Sequence, residues 1–215
     1  MSKFNLFGLN QKRDNKYNSY KGQKGRIADN LLLDEVQINN SIKTYRNFKC
    51  NKPNEKWGTD VSMFKIKYGK LYLSPIICMY DSSIVAFNIS TDPVFMQIQD
   101  MLDKAFLNNN LEGLRLHSDQ GWQYQQKPYQ TRLKNKGIKQ SMSIKGNCLD
   151  NSPTENFFSI MKNEMFYGKE DTFNSLDELK KAMIAYIYYY NNERISLKRK
   201  GMTPIQYRHQ ALHCI

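Results

Sequence analysis

The chain has 215 residues, enough for one domain of ordinary size and an appendage. Its 40% hydrophobic and 24% charged residues, with 14 Tyr and 11 Phe, exclude an intrinsically disordered protein and supply ample core material. A net charge of +12 points to a polyanion partner, and no stretch approaches the roughly 18 apolar residues that a membrane span needs.

Residues 1–52 read as a basic N-terminal arm. They are rich in Lys, Asn, Gln and Tyr, with one apolar run at Leu31-Leu32-Leu33. Residues 1–56 hold 12 Lys/Arg against 5 Asp/Glu, a balance suited to salt-dependent, sequence-independent phosphate contacts. The start lacks the apolar segment of a secretory signal. Cys50, Cys78, Cys148 and Cys214 show no CxxC spacing, which argues against a zinc ribbon or a disulfide framework and suits a reducing cytoplasm. A soluble, cytoplasmic protein is therefore expected. His209 and His213 lie one helical step apart beside Cys214 and read as the end of a terminal helix rather than a metal site.

From Trp57 the pattern becomes structured. Residues 57–64 alternate as a strand, Tyr68-Gly69-Lys70 signals a turn, and residues 71–80 and 84–90 read as two further strands. Pro93 opens an amphipathic helix over 94–108. A short strand over 114–117 runs directly onto Ser118-Asp119; a helix follows to about 135, closed by Gly137, and 138–142 form the next strand. Residues 145–152 are loop chemistry, after which Pro153 and Thr154 start a helix to about 167. A long helix over 176–191 holds the tyrosine cluster 186–190, whose rings are expected to pack it on the core, and Thr203-Pro204 opens a last helix. Three strands followed by alternating helix and strand define an α/β domain with a mixed sheet flanked by helices. An RNase H-like core fits this order, as do several other α/β folds. The expected division is an arm over 1–52, a catalytic core over 53–168 and a C-terminal helical extension over 169–215.

In this basic chain the isolated acids stand out. Asp60 lies within an apolar strand, an awkward place for a charge that is neither paired nor metal-bound. Asp119 ends a short apolar strand, where α/β sheets place active residues, and Glu155 falls in the first turn of a helix. Singly, the helix dipole accounts for Glu155 and an Asx turn for Asp119. Jointly, three carboxylates make a hard oxygen site for magnesium or manganese, and two such ions can activate the attacking oxygen and stabilise the leaving one in phosphodiester chemistry. No Ser or Cys nucleophile with a His partner presents itself. Between Asp119 and Glu155 stand Lys127, Arg132, Lys134, Lys136, Lys139 and Lys145 against the single acid Asp150, a cationic rim suited to a DNA backbone.

At these residues the sequence resembles the DDE triad of transposases and retroviral-type integrases. Thirty-five residues separate Asp119 from Glu155, and the words Trp57-Gly58-Thr59-Asp60-Val61-Ser62, His117-Ser118-Asp119-Gln120-Gly121 and Glu155-Asn156-Phe157-Phe158 through Lys162 are similar to the second-frame (OrfB) product of bacterial insertion sequences of the family numbered three. The tail Tyr190-Asn191-Asn192-Glu193-Arg194, with Gly201-Met202-Thr203-Pro204 and Tyr207, and the arm phrase Tyr17-Asn18-Ser19-Tyr20-Lys21-Gly22 resemble it too.

The resemblance implies an RNase H-like core, two Mg2+ or Mn2+ ions, and cleavage and strand transfer at the ends of a mobile element. Asp60 and Asp119 would hold metal jointly, and Glu155 would complete the second ion's shell. Lys162, seven residues after Glu155 and so on the same helical face, would approach DNA. Lys139, Lys145 and Asn156 join it as candidate DNA contacts, and Asn151 as a support of the loop. Assembly as a multimer on DNA is implied, as is a helix-turn-helix first-frame product that supplies recognition. Ser152-Pro153-Thr154 and residues 33–46 depart from the family pattern. Two competing readings stand beside an active transferase: a non-catalytic DNA-binding relic, and a nuclease that cleaves without joining.

Overall fold

A computed structural model describes residues 28–38, 41–107, 111–144 and 148–213. Two strands precede Trp57: β1 (Leu33–Ile38) and β2 (Ser41–Arg46) pair antiparallel, with Leu33 opposite Arg46. The arm reading foresees no strand there. Every side chain of β2 is exposed, so the stretch carries no core-facing alternation by which a strand is recognised.

The main sheet contains β3 (Lys56–Thr59), β4 (Ser62–Ile66), β5 (Gly69–Cys78), β6 (Ile84–Ser90), β7 (Arg115–Ser118) and β8 (Lys139–Met142). Its order is β4-β5-β3-β7-β8, with β6 also paired to β5. The ten-residue β5 receives β4 along its first half and β3 along its second, with Leu73 opposite Ser62 and Cys78 opposite Trp57. The single strand expected over 57–64 is thus two strands, interrupted at Asp60 and Val61. The Val61 N–H donates to Asp60 Oδ1 at 2.7 Å, which takes that donor out of the ladder. β3, β7 and β8 run parallel, so the mixed sheet read from the sequence is present.

Helices cover both faces. They are α1 (Phe95–Phe106), α2 (Lys127–Asn135), α3 (Ser152–Met161), α4 (Leu176–Asn192) and α5 (Pro204–His213). Successive strand residues point to opposite faces. Ile76 accordingly joins Trp57, Met101, Leu102 and Tyr129 under α1 and α2, while Ile77 joins Phe64, Phe157, Met161 and Met183 under α3 and α4. Within the tyrosine run Tyr186 and Tyr190 are buried, whereas Tyr188 and Tyr189 are exposed. At the start of α4, Ser175 Oγ accepts from the Glu178 N–H at 3.1 Å and Glu178 Oε2 accepts from the Asn174 N–H at 2.8 Å.

The helix expected through 167 ends as α-helix at Met161. A five-residue π-helical turn, Lys162–Phe166, completes it and seats Phe166 edge-on to Phe64 with centroids 5.1 Å apart. Among the described residues no helix is long and apolar enough to cross a membrane.

Candidate active site

The parallel pair β3 and β7 ends in register, Thr59 opposite Ser118. The next residues, Asp60 and Asp119, therefore emerge together at the carboxyl edge of the sheet, where α/β proteins gather their chemistry. Glu155 arrives from the first turn of α3. That helix can begin close to β3 because residue 58 is glycine: a Cβ there would lie 2.6 Å from Thr154 Oγ1. Asn151 adds a tie, its Nδ2 donating to the Thr59 carbonyl at 3.4 Å.

The three acids sense one another. Burial, then the Asp119 charge, raises the pKa of Asp60 well above the ordinary carboxylate value, with Glu155 adding to the shift and the Val61 N–H and Lys162 opposing it. Burial raises that of Asp119 against the pull of the Gly121 N–H, which donates to Asp119 Oδ1 at 2.9 Å in an Asx turn. Desolvation and then Asp119 raise that of Glu155. None of the three forms an ion pair among the described residues. They stand within electrostatic range and not in closed contact: no three His, Cys, Asp or Glu side chains among the described residues are grouped tightly enough to ligate one ion. A cluster of hard oxygens that raise one another's proton affinity suits a divalent cation.

Lys162 joins the cluster. Its ammonium lies 5.1 Å from the Phe64 ring centroid, and desolvation lowers its pKa while Asp60 opposes the shift. Asn156 is exposed beside Glu155. Lys139 is not with them. It opens β8 opposite Arg115, at the end of the parallel pair remote from Asp119, because α2 carries the chain from one edge of the sheet to the other. Lys134 and Lys136 sit at that same far edge, and Arg132 is paired with Asp103. The rim that looks continuous in sequence is therefore divided in space. Lys145 lies outside the described residues.

Other parts of the site carry no sequence signal of their own. Tyr124 is fully buried with its hydroxyl 3.5 Å from Thr59 Oγ1, and burial followed by the charges of Asp60 and Asp119 pushes its pKa up. Asp150 stands on the loop into α3 as a fully buried carboxylate, accepting from Arg46 Nε at 2.6 Å and from Asn30 Nδ2 and the Ile144 N–H at 3.0 Å each. It fastens the β1–β2 hairpin beside the site. Only the spacing of Asp150 from Arg46, 104 residues, hides this pairing.

A mixed sheet that delivers two aspartates from adjacent parallel strands, and a glutamate from the next helix, defines a protein of the integrase-core class. The integrase core domain family matches residues 50–148, and a second integrase core domain family matches 155–212. The putative transposase InsK of insertion sequence element IS150 from Escherichia coli K12 is 48% identical over 196 residues, covering 91% of this chain and 64% of that one. An uncharacterized transposase-like protein of Haemophilus influenzae is 48% identical over 200 residues, covering 92% and 85%. Transposase InsF of IS3A, also from Escherichia coli K12, is 28% identical over 209 residues, covering 95% and 68%. The chain belongs to the integrase-core transposases of bacterial insertion sequences, the family numbered three. It spans about two thirds of the length of InsK.

The fold is shared with retroviral integrases. The HTLV-2 integrase catalytic core domain in complex with magnesium (dimeric form) superposes with a TM-score of 0.59 at 19% identity, covering 74% of this chain and 99% of that one. A simian T-cell lymphotropic virus intasome chain gives 0.64 at 16% identity, covering 87% and 58%. The core is RNase H-like.

Proposed function

We propose that the chain is a DDE-type polynucleotidyl transferase that cleaves the ends of an insertion sequence and joins them to target DNA. The observation that carries this reading is the convergence of Asp60, Asp119 and Glu155, three carboxylates without a cationic ion-pair partner, at one edge of an integrase-type sheet. Hard carboxylate oxygens are the donor type that Mg2+ or Mn2+ takes, and two such ions held among the three acids would supply an activated attacking oxygen and stabilise the leaving one.

In this reading Asp60 and Asp119 hold metal jointly and Glu155 completes the second ion's shell. The Gly121 N–H orients Asp119 by holding Oδ1. Lys162 and Asn156 hold the DNA backbone near the acids, Lys145 is a further DNA contact, and the chain's charge of +12 brings the polyanion to them. Lys139 would touch DNA only away from the reacting phosphate. The active enzyme is a multimer on element ends, with recognition from a helix-turn-helix first-frame product, in the bacterial cytoplasm. The core spans 53–168, with an arm before it and a helical extension after it. The intact acids, none of them in an ion pair among the described residues, disfavour the relic.

Cleavage and joining are measured on duplexes carrying an element end, intact or pre-nicked. Magnesium or manganese supports both steps, and calcium supports DNA binding alone. Cleavage without joining on the pre-nicked end would indicate a nuclease, and cleavage in excess chelator would overturn the metal reading.

A further inference from the structure

The chain has two tryptophans with opposite placements. Trp57 is fully buried, whereas Trp122 leaves 36% of its surface free on the turn that follows Asp119. It is three residues beyond Asp119, so the two Cα atoms are at most about 11 Å apart. Between Leu107 and Ile144 no other large hydrophobic side chain among the described residues is exposed. A single exposed ring in a stretch of glutamines, with Lys127 following, lacks the contiguous apolar area of a subunit interface core.

The turn beneath Trp122 is held rigid. Gln126 Nε2 donates to the Trp122 carbonyl at 3.0 Å, Gln120 Nε2 to the Ser143 carbonyl at 2.9 Å, Gln125 Nε2 to the Gln120 carbonyl at 2.6 Å, and Gln140 Nε2 to the Tyr124 carbonyl at 2.8 Å. Tyr124 itself is locked in the core, edge-on to Tyr129. These bonds do not bury the indole. They fix the backbone that presents it, so the turn itself loses little freedom when a base stacks there.

From this geometry we infer that Trp122 is a stacking platform for an unpaired nucleobase beside the phosphodiester held at the acids. The inference rests on the proposed function and adds a subsite to it. Every base offers a π face, and an exposed ring on a fixed turn, three residues from Asp119 in a chain of charge +12, meets both the backbone and the base requirements of single-strand binding. The subsite therefore favours element ends whose terminal bases are frayed or overhanging over fully paired ends.

The test uses the full chain and two labelled duplexes carrying the same element end, one blunt and one with unpaired terminal bases. Anisotropy gives affinity, and tryptophan emission gives stacking, because Trp57 is buried and contributes a constant background. Unpaired ends should quench emission more than blunt ends. Trp122→Ala and Trp122→Leu should each weaken binding to unpaired ends about tenfold. Trp122→Phe should retain most of the affinity, and all variants should bind blunt duplex like the unaltered chain. The leucine variant keeps apolar bulk, so a loss it shares with alanine marks the aromatic face rather than misfolding. DNA binding indifferent to Trp122→Ala and Trp122→Leu would overturn the inference alone. An unaltered chain that binds neither duplex would overturn the proposed function and the subsite with it.

Discussion

Gly58 and Thr154 meet so closely that a Cβ on residue 58 would stand 2.6 Å from Thr154 Oγ1 and 3.2 Å from Met79 Cε. This contact lets α3 start against β3, and so sets the distance between Glu155 on the helix and Asp60 at the strand end. Gly58→Ala should destabilise the fold by about 1–3 kcal/mol through overpacking and should depress strand transfer by displacing Glu155. Thr154 Oγ1 is buried without a hydrogen-bond partner, so the double variant Gly58→Ala/Thr154→Ala should recover much of the loss. Urea unfolding of the two variants checks this; equal destabilisation in both would show that the contact is not the constraint.

The attachment of the hairpin gives a second prediction. Asp150 is fully buried and relies on Arg46, Asn30 and the Ile144 N–H. Arg46→Ala leaves that carboxylate without its cation. Because Arg46 is itself a third exposed, the cost should be about 1–3 kcal/mol, below that of breaking a wholly buried pair. Hydrogen exchange should quicken in β1 and β2 first. Unchanged protection there would mean that the ion pair does not hold the hairpin.

Acidity supplies a third. Burial raises the pKa values of Asp60, Asp119 and Glu155 above their ordinary values of 3.8, 3.8 and 4.5, and the Asp119 charge adds to the shift at Asp60 and Glu155. Without metal the unfolded chain therefore gives up these protons first, and the folded state loses stability as pH rises from the unfolded values through the folded ones. His117 is buried and lowered from 6.5 to about 4, so its contribution runs the other way and is lost as pH falls across that range. Comparing the unaltered chain with Asp60→Asn cancels His117. The melting-temperature gap should shift in favour of the variant as pH rises, and added magnesium should raise the melting temperature of the unaltered chain more than that of the variant. A gap flat in pH and indifferent to metal would contradict the coupled cluster.

Much of this was legible in sequence where the signal is local. The alternation in β6, the apolar face of α1 and the turn residues between β4 and β5 each place an element within a few residues of its bounds. The placement of Asp119 and Glu155 is legible because strand ends and helix starts are readable. Asp60 is legible as a charge among apolar residues, but the break it makes is not, since a side chain taking the next backbone N–H leaves the alternation intact. The hairpin before β3 escaped because its strands face solvent. The cationic rim misled because charges consecutive in sequence are carried to opposite edges by α2.

Salt dependence gives a fourth prediction. With 7 Lys/Arg against 1 Asp/Glu in residues 1–27, deleting that stretch should flatten the fall of log K with log salt while leaving the hairpin and its Asp150 tie in place. Anisotropy titrations at several salt concentrations read the slope directly. An unchanged slope would show that the arm's charge is solvated and makes no phosphate contact.

The most direct measurement is strand transfer from a pre-nicked element end in magnesium by Asp60→Asn, Asp119→Asn and Glu155→Gln, with DNA binding measured alongside. Each amide keeps the side chain's size and removes the negative charge that the ions require. Joining should fall to background in all three while binding persists, and the triple variant should be scarcely worse than any single one because one loss already disrupts the shared site. Asp150 and Glu164 cannot stand in, since Arg46 and Arg194 occupy them. Near-normal joining by Glu155→Gln, in a folded and DNA-binding chain, would contradict the assignment of the three acids as the catalytic centre.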